Sequence, residues 1–315
     1  MRLFKKIISK LMRPFLREVI EKQYQLIEKI ENFHISLGEL QSRLNVNSEN
    51  RTFSNSGFKV FSQWDEDGLI DHIINRIPEI PKSFIEFGVE NYSESNTRYL
   101  MMSRHWEGMV IDGSKSNIEY IRQQNYFWQN SLRAVNAFIT KDNINSLIKD
   151  QGFSGNIGIL SVDIDGNDYW VWKQIESVSP VLVITEINNS FGAEKKISIP
   201  YDSGFQRFNA HYSGLYYGAS LPAFIDLANQ KGYKFIGCNN ICNNAFFIRN
   251  DFAERFSERS ASEVYLPNPA RESRNEKREL TYVTGISNQI KIISDLPVFN
   301  FETNSIEKIG SVLKN

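Results

Sequence analysis

The chain has 315 residues, of which 41% are hydrophobic, 23% charged and 13% aromatic, with a formal net charge of −1. These values predict one large or about two small globular domains, exclude a collagen-like or largely disordered chain, and give no electrostatic reason to expect nucleic-acid binding. Two cysteines do not make a disulfide framework, and no apolar run reaches the ~18 residues that span a bilayer, so we expect a cytoplasmic protein.

The first 17 residues are basic and amphipathic. They contain no acidic residue, and their apolar residues recur at the spacing of one helical face. The basic residues are Arg2, Lys5, Lys6, Lys10, Arg13 and Arg17, and the apolar ones are Leu3, Phe4, Ile7, Ile8, Leu11 and Phe15. The pattern predicts either a helix lying peripherally on the inner face of a membrane or a basic helix docked on the protein's own body.

Apolar residues within 19–44 recur in alternating steps of four and three, which is a heptad pattern. They are Leu26, Ile30, Phe33, Leu37, Leu40 and Leu44. A helix that joins two copies of the chain and a helix packed on its own domain both fit this spacing. We therefore expect an N-terminal helical region over residues 1–50, with a polar linker at 45–58.

From about Val60 onwards, predicted strands alternate with predicted helices, which indicates βαβ units and a parallel sheet. Strands are expected at 83–89, 108–112, 132–139, 157–162 and 181–187, with helices near 94–105, 115–125, 141–150, 168–177 and 221–231. Two last strands, 233–237 and 245–249, are too close in sequence for a crossover helix and must form an antiparallel hairpin. The predicted fold is α/β, with a Rossmann-like, mostly parallel sheet over residues 58–252 and a charged C-terminal extension over 253–315.

Polar residues follow the end of each of the first five predicted strands. Ligands bind at this edge in open α/β sheets, so we expect these residues to gather at one site. Gly88 lets a ligand approach the backbone, and Asp112 is placed to accept both hydroxyls of a ribose, although an acid at a strand end also caps helices.

Four segments carry a resemblance to a known family. IEFGVENYSESNTRYL, WEGMVIDGS and LSVDIDGNDYWVWK, followed by the terminal hairpin, resemble class I S-adenosylmethionine-dependent methyltransferases, and among them the FkbM-like group. SQWDEDGLI resembles the segment before the first strand in that group. The likeness covers residues 62–250. It implies the class I methyltransferase fold, S-adenosylmethionine as cofactor, and a place among polysaccharide and natural-product biosynthesis enzymes.

The resemblance assigns roles to residues of the first three strand ends. Glu86 and Gly88 match the acid and first glycine of the cofactor loop, Asp112 the ribose-binding acid, and Asn136 the residue facing adenine. Glu90 departs from the family, because it stands where the loop usually has its second glycine. Its carboxylate would either repel the methionine carboxylate or bind the methionine amino group. The predicted cofactor-binding residues are Glu86, Gly88, Glu90, Asp112, Ser114, Asn136, Ala137 and Asp163.

The acids after the fourth and fifth strands have two interpretations. Carboxylates at close range repel unless a cation holds them, and such oxygen ligands suit Mg²⁺ or another divalent cation. By analogy with sugar O-methyltransferases, Asp165 and Glu186 would bind the metal with Asn188 or Asn189 assisting. Asp165 would thereby take part in catalysis, and Asp168 would be the general base. In the alternative, Asp163 and Asp168 serve only the turn and the following helix.

Residues 189–220 read as a long loop rich in aromatic residues, over the same edge of the sheet. Loops of this length are usually functional, and aromatic rings suit stacking on a sugar. A lid that packs mainly on itself is the alternative. His211, in this loop, is a candidate second base.

These features favour an S-adenosylmethionine-dependent O-methyltransferase that acts on a sugar hydroxyl of a glycan or glycan precursor. Two alternatives stay open. The first is a non-catalytic scaffold of the same fold in a polysaccharide-biosynthesis complex, with Glu90 blocking the cofactor. The second is a glycosyltransferase whose Asp163–Asp165 pair holds a metal and a nucleotide.

Overall fold

The computed structural model describes residues 2–48, 50–267 and 269–313, with the backbone alone described for 2–15 and Tyr24. The interpretation of residues 1–17 as a membrane-surface helix depends mainly on side chains outside this description. Among the described residues, no helix is both long and apolar enough to cross a membrane.

A seven-stranded sheet forms the centre of the molecule. Its strands are β1 (Ser83–Phe87), β2 (Glu107–Asp112), β3 (Leu132–Asn136), β4 (Gly155–Val162), β5 (Val178–Glu186), β7 (Tyr233–Cys238) and β8 (Asn244–Arg249). A three-stranded sheet contains β6 (Ile197–Ser198), β9 (Pro297–Asn300) and β10 (Ser305–Lys308).

The helices before β5 are α1 (Arg2–Val46), α2 (Glu66–Arg76), α3 (Arg98–Arg104), α4 (Lys115–Gln123), α5 (Asn125–Gln129), α6 (Ile144–Asp150) and α7 (Asp168–Gln174). Those after it are α8 (Arg207–Ala210), α9 (Leu221–Gln230), α10 (Ala261–Val264), α11 (Ile286–Ile293) and α12 (Ile309–Val312). Short 3₁₀ turns lie at Phe53–Asn55, Asn189–Phe191 and Asn250–Arg255.

The large sheet has the strand order β3-β2-β1-β4-β5-β8-β7. The first five strands pair in parallel, and β8 runs antiparallel to both β5 and β7. This confirms the predicted α/β fold, a Rossmann-like sheet closed by an antiparallel hairpin, which is the class I methyltransferase fold. The strand order reverses between β1 and β4, so the switch point where such sheets bind ligands lies at the carboxyl ends of these two strands.

Helices cover both faces of this sheet. Alternate residues of β1 enter different clusters: Ile85 and Phe87 pack in one with Trp172 and Phe224, while Phe84 packs in the other with Leu69. Burial on both faces explains why the central strands read as nearly continuous apolar runs.

The N-terminal helix α1 runs without a break to Val46, two residues into the predicted linker. Its last third docks on the body through one face. Gly38 lies against the side chains of Val60 and Tyr99, and Glu31 pairs with Arg98 at 2.9 Å. The heptad residues lie on another face and are exposed.

The C-terminal residues pack on the region between β5 and α9. β6 pairs with β9, and Phe191, Ile197 and Tyr216 share a buried cluster with Val298 and Ile309. The region predicted as a long loop, 189–220, thus contains a 3₁₀ turn, the short strand β6 and the short helix α8, and its apolar residues are covered by a segment about 100 residues later in the chain.

Candidate functional site

An open cleft of about 180 Å³ lies at the carboxyl ends of β1 to β4, beside the switch point. Five residues that the sequence predicted, from all four strand ends, line it. They are Gly88, Glu90, Asp112, Ala137 and Asp163. Asp165, predicted as a metal ligand, lines it too. The cleft is smaller than the roughly 300–1,000 Å³ of most ligand pockets.

The loop after β1 holds three residues in the left-handed region of backbone space. The φ angles are +69° at Gly88, +47° at Glu90 and +63° at Tyr92. A Cβ at position 88 would lie 1.6 Å from the carbonyl oxygen of Asp163. The chain's own packing thus requires Gly88, in addition to any approach by a ligand. Glu90 adopts a conformation that favours glycine, and such strain concentrates at functional sites.

Asp112 fixes the floor of the cleft. Its Oδ2 accepts the backbone N–H of Glu90 at 2.9 Å, and its Oδ1 accepts the N–H of Ser114 at 2.7 Å and the amide of Asn117 at 3.1 Å. A carboxylate has about four acceptor positions, so one lone pair on Oδ2 stays open for a ligand hydroxyl. Asn136 donates to the backbone carbonyl of Asp112 at 3.0 Å.

Two other predicted cofactor residues serve the chain itself. Ser114 caps α4 by accepting the N–H of Asn117. Glu86 is buried, and its oxygens accept from Ser95, Asn96 and Thr97, so its carboxylate anchors the loop before α3. Neither side chain lines the cleft; their contact with a cofactor stays a prediction.

Two aromatic residues line the cleft; the sequence reasoning missed Phe138, whereas Phe205 belongs to the aromatic-rich region predicted over this edge. Phe138 is 46% exposed directly after β3, and Phe205 arrives from the region between β5 and α9 and contacts the turn at Gly166. A large exposed ring on a cleft wall is suited to stacking on a planar ring of a ligand, such as a nucleobase. The exposure of Phe138 is not visible in the sequence, where it reads as one more apolar residue of the third strand.

The acids after β4 and β5 do come together. Ligand oxygens of Asp163, Asp165 and Glu186 all lie within 4.8 Å of one another. Burial, together with the charge of Asp165, raises the pKa values of Asp163 and Glu186 well above their usual range. The Oε2 atom of Glu186 is buried and has no hydrogen-bond partner among the described residues. Three hard oxygen donors, one of them unpartnered, fit a divalent cation in chemistry.

Arg207 already supplies one positive charge to this cluster. Its Nη1 donates to Oδ1 of Asp165 at 2.5 Å, its Nε donates to the carbonyl of Gly214 at 2.7 Å, and its guanidinium stacks on Tyr217 with 3.8 Å between Cζ and the ring centroid. Asp165 also has a positive φ of +56°. A cation at the cluster would compete with Arg207 for Asp165.

Asp168, the predicted general base, is fully buried. Its two carboxylate oxygens accept the backbone N–H groups of Ile164 at 2.7 Å and of Gly166 at 2.8 Å. Desolvation raises its pKa to about 6. This geometry favours the alternative interpretation, in which Asp168 stabilises the turn between β4 and α7.

Asn188 and His211, both predicted site residues, make their side-chain hydrogen bonds to residues outside the acid cluster. The amide of Asn188 donates to the carbonyls of Leu215 and Tyr217 at 3.0 and 2.9 Å, and its oxygen accepts from Ser190. All its polar atoms are therefore engaged, which leaves little for a metal. His211 bonds to Ser213 at 2.8 Å and does not line the cleft.

No family model matches this sequence, and a search of curated proteins finds no match. Solved structures of similar fold include the N-terminal domain of EvdMO1 with SAH bound, with a TM-score of 0.38 and 10% identity over 67% of this chain and 94% of that one. An O-methyltransferase from Bacillus cereus in complex with SAH has a TM-score of 0.39 and 10% identity, over 68% and 89%. A S-adenosylmethionine-dependent methyltransferase from Clostridium acetobutylicum ATCC 824 has 0.36 and 7%, over 58% and 90%. TM-scores below 0.5 establish neither a family nor a function.

Proposed function

We propose that this protein is an S-adenosylmethionine-dependent O-methyltransferase of the FkbM-like group, acting on a sugar hydroxyl of a glycan or glycan precursor. One observation carries the proposal: the cleft at the switch point is lined by Asp112, a ribose-type acid, and by Asp163 and Asp165, which form an acid cluster with Glu186. A donor and a polyol acceptor would meet between them.

The cofactor's adenosine half would lie at the β2 and β3 end. The open lone pair on Oδ2 of Asp112 would accept a ribose hydroxyl, and Phe138 would stack on adenine. The methionine half would lie over the loop after β1. There Glu90, exposed and on the cleft wall, would bind the methionine ammonium, and nearby Asp163 would favour the positive sulfonium.

When bound, the cofactor supplies a methyl group on a sulfonium, which the attacking hydroxyl oxygen takes as the carbon–sulfur bond breaks. The residues of this chain hold both reactants in line and remove the hydroxyl proton. Asp168 is poorly placed to take that proton, because both of its oxygens accept backbone N–H groups; Asp163 and Asp165 are the acids of the cluster that line the cleft.

Mg²⁺ or another divalent cation would be held by Asp163, Asp165 and Glu186, and would lower the pKa of a bound sugar hydroxyl. Asn188 is not included, because its amide is used within the fold. Arg207 would have to release Asp165 for full coordination.

Calorimetric titration of the full chain with S-adenosylmethionine tests the proposal. We expect saturable binding in the micromolar range, lost when Asp112 is changed to Ala. A matched control, Asp142→Ala, removes an acid that does not line the cleft. No heat of binding at millimolar cofactor would reject the enzyme assignment.

The non-catalytic scaffold is the second candidate, favoured by the small cleft and by Glu90 on its wall. Here Glu90 would exclude the cofactor. Changing Glu90 to Gly separates the two: cofactor binding gained by the variant, and absent from the parent, would favour the scaffold.

A further inference from the structure

A long apolar seam on α1 is left uncovered by the other residues that the structure describes. The heptad predicted from Leu26 extends back to Leu16, because the helix is continuous: positions a are Leu16, Gln23, Ile30, Leu37 and Leu44, and positions d are Val19, Leu26, Phe33 and Leu40. The seam therefore covers about four heptads, the length at which a heptad pattern becomes diagnostic of a coiled coil.

The exposure of these residues is high for apolar side chains. It ranges from 37% at Val19 to 67% at Phe33, and Ile20 and Ile27 beside the seam are 47% and 52% exposed. With about 180 Å² for a whole Leu or Ile residue, the ten apolar residues expose roughly 900 Å², comparable to the ~800 Å² per partner of a stable interface. A monomer rarely leaves a contiguous patch of this size in water.

The seam is not the face by which α1 docks on its own body. Docking uses positions b and f, where Glu31 pairs with Arg98 at 2.9 Å, Gly38 contacts Val60 and Tyr99, and Ser42 is buried. Positions a and d lie well round the helix from these, since each residue turns by ~100°. One helix thus has one face occupied and another free.

We propose that the seam binds the same seam of a second copy of this chain, in a parallel two-stranded coiled coil. Gln23 is the polar residue among the nine a and d positions. Only parallel, in-register pairing places Gln23 opposite Gln23 of the other copy, where the two amides can hydrogen-bond.

Charge supports the same orientation. Positions g are Lys22, Lys29, Ser36 and Arg43, and in an antiparallel pair g faces g, which would bring basic residues together. In a parallel pair g faces e, where Ile27, His34 and Gln41 stand.

Charge also favours a second copy over a lipid surface for this segment. Residues 16–46 contain five acidic and four basic residues, so this part of the helix has no excess of positive charge to attract anionic lipid.

Sedimentation velocity of the full chain tests the proposal. We expect a species of about twice the 36.5 kDa chain mass. Changing Leu26 and Phe33 to Lys should give a monomer. Circular dichroism of this variant should show that the chain stays folded. The control changes Gln25 and Asn32, each one residue away and exposed, to Lys and should stay dimeric.

A single cysteine tests the register. Changing Gln23 to Cys should give a dimer cross-linked through position 23 on mild oxidation, because the native Cys238 and Cys242 are buried. A monomeric parent would overturn the proposal, as would equal masses for the Leu26/Phe33 variant and its control. Binding of a monomeric parent to phosphatidylserine vesicles, lost in the Leu26/Phe33 variant, would assign the seam to lipid instead. A trimer or tetramer, or a Gln23→Cys dimer that does not cross-link, would overturn the parallel two-stranded form.

Discussion

At the scale of single residues, Gly88 and Glu90 both have a left-handed backbone, but only Glu90 has room for a side chain. Gly88 has no room for a side chain: a Cβ would meet the carbonyl oxygen of Asp163 at 1.6 Å, and the φ angle is +69°. Glu90 keeps a left-handed backbone at +47° while holding an exposed carboxylate on the cleft wall. The strain at Glu90 has no compensating hydrogen bond from its own side chain among the described contacts, which points to a role toward a ligand.

The first prediction concerns Gly88. Changing it to Ala should lower the free energy of unfolding by about 3 kcal/mol or more, because the added methyl must displace backbone at a positive φ. The control is Gly113→Ala on the same cleft, where the nearest atom to a Cβ is 3.7 Å away and φ is not positive. Urea denaturation of both variants measures the difference. Equal stabilities would contradict the close approach of the loop after β1 to β4.

The second prediction concerns the charge of Glu90. If Glu90 binds the methionine ammonium, Glu90→Gln should weaken S-adenosylhomocysteine binding by about tenfold, since a hydrogen bond to a charged group contributes ~1.5 kcal/mol. Glu94→Gln, an exposed acid off the cleft wall, should leave the affinity unchanged. Isothermal titration calorimetry of both variants with S-adenosylhomocysteine measures the two affinities. Tighter binding by Glu90→Gln would show that the carboxylate repels the cofactor.

At the scale of elements, the large sheet could be predicted because its strands are buried on both faces and read as apolar runs separated by helical patterns. The sequence also predicted that Asp112, Asp163 and Glu186 lie at one edge of the sheet, because each comes at the end of a strand and the carboxyl ends of parallel strands share an edge. The helix α2 was missed although Leu69, Ile70, Ile73 and Ile74 mark a helical face.

The side-chain roles could not be predicted in the same way. The amide of Asn188 reaches carbonyls 27 and 29 residues later, and Arg207 reaches Asp165 across 42 residues. Such pairs depend on how the region between β5 and α9 folds over the sheet edge. That region is ordered by β9, about 100 residues further on, and no local pattern signals it.

The third prediction concerns Asp67, which joins α2 to the segment before it. Its Oδ2 accepts the N–H groups of Val60, Phe61 and Ser62, while its Oδ1 is buried without a partner. Desolvation raises its pKa to about 6, above the ~4 of an unfolded chain. The contribution of this pKa shift to the free energy of unfolding is therefore fully present below pH 4, and it is lost as the pH rises through 6.

Asp67→Asn removes this titration and keeps one acceptor oxygen. The stability of the variant relative to the parent should rise by about 2 kcal/mol between pH 4 and pH 7. Urea midpoints at half-unit pH steps measure it, and Asp142→Asn serves as an exposed control. A stability difference between variant and parent that does not change with pH would show that the fold does not raise the pKa of Asp67.

At the scale of the whole molecule, the two proposed functions belong to two separate surfaces. The cleft lies at the carboxyl ends of β1 to β4, and the α1 seam lies on a helix about 67 Å long, at ~1.5 Å per residue. A parallel pair of such helices would join two α/β bodies and bring both basic N-terminal segments to one end. The two proposals are independent, because the seam variants leave every residue of the cleft unchanged.

We propose that S-adenosylmethionine binds at the switch point of the sheet. A crystal structure of the full chain soaked with S-adenosylhomocysteine is the decisive test. We expect the ribose on Asp112, the adenine beside Phe138 and the methionine ammonium near Glu90. An empty cleft at millimolar ligand, or ligand in the separate cavity of about 680 Å³ between α2 and the β7–β8 hairpin, would contradict it.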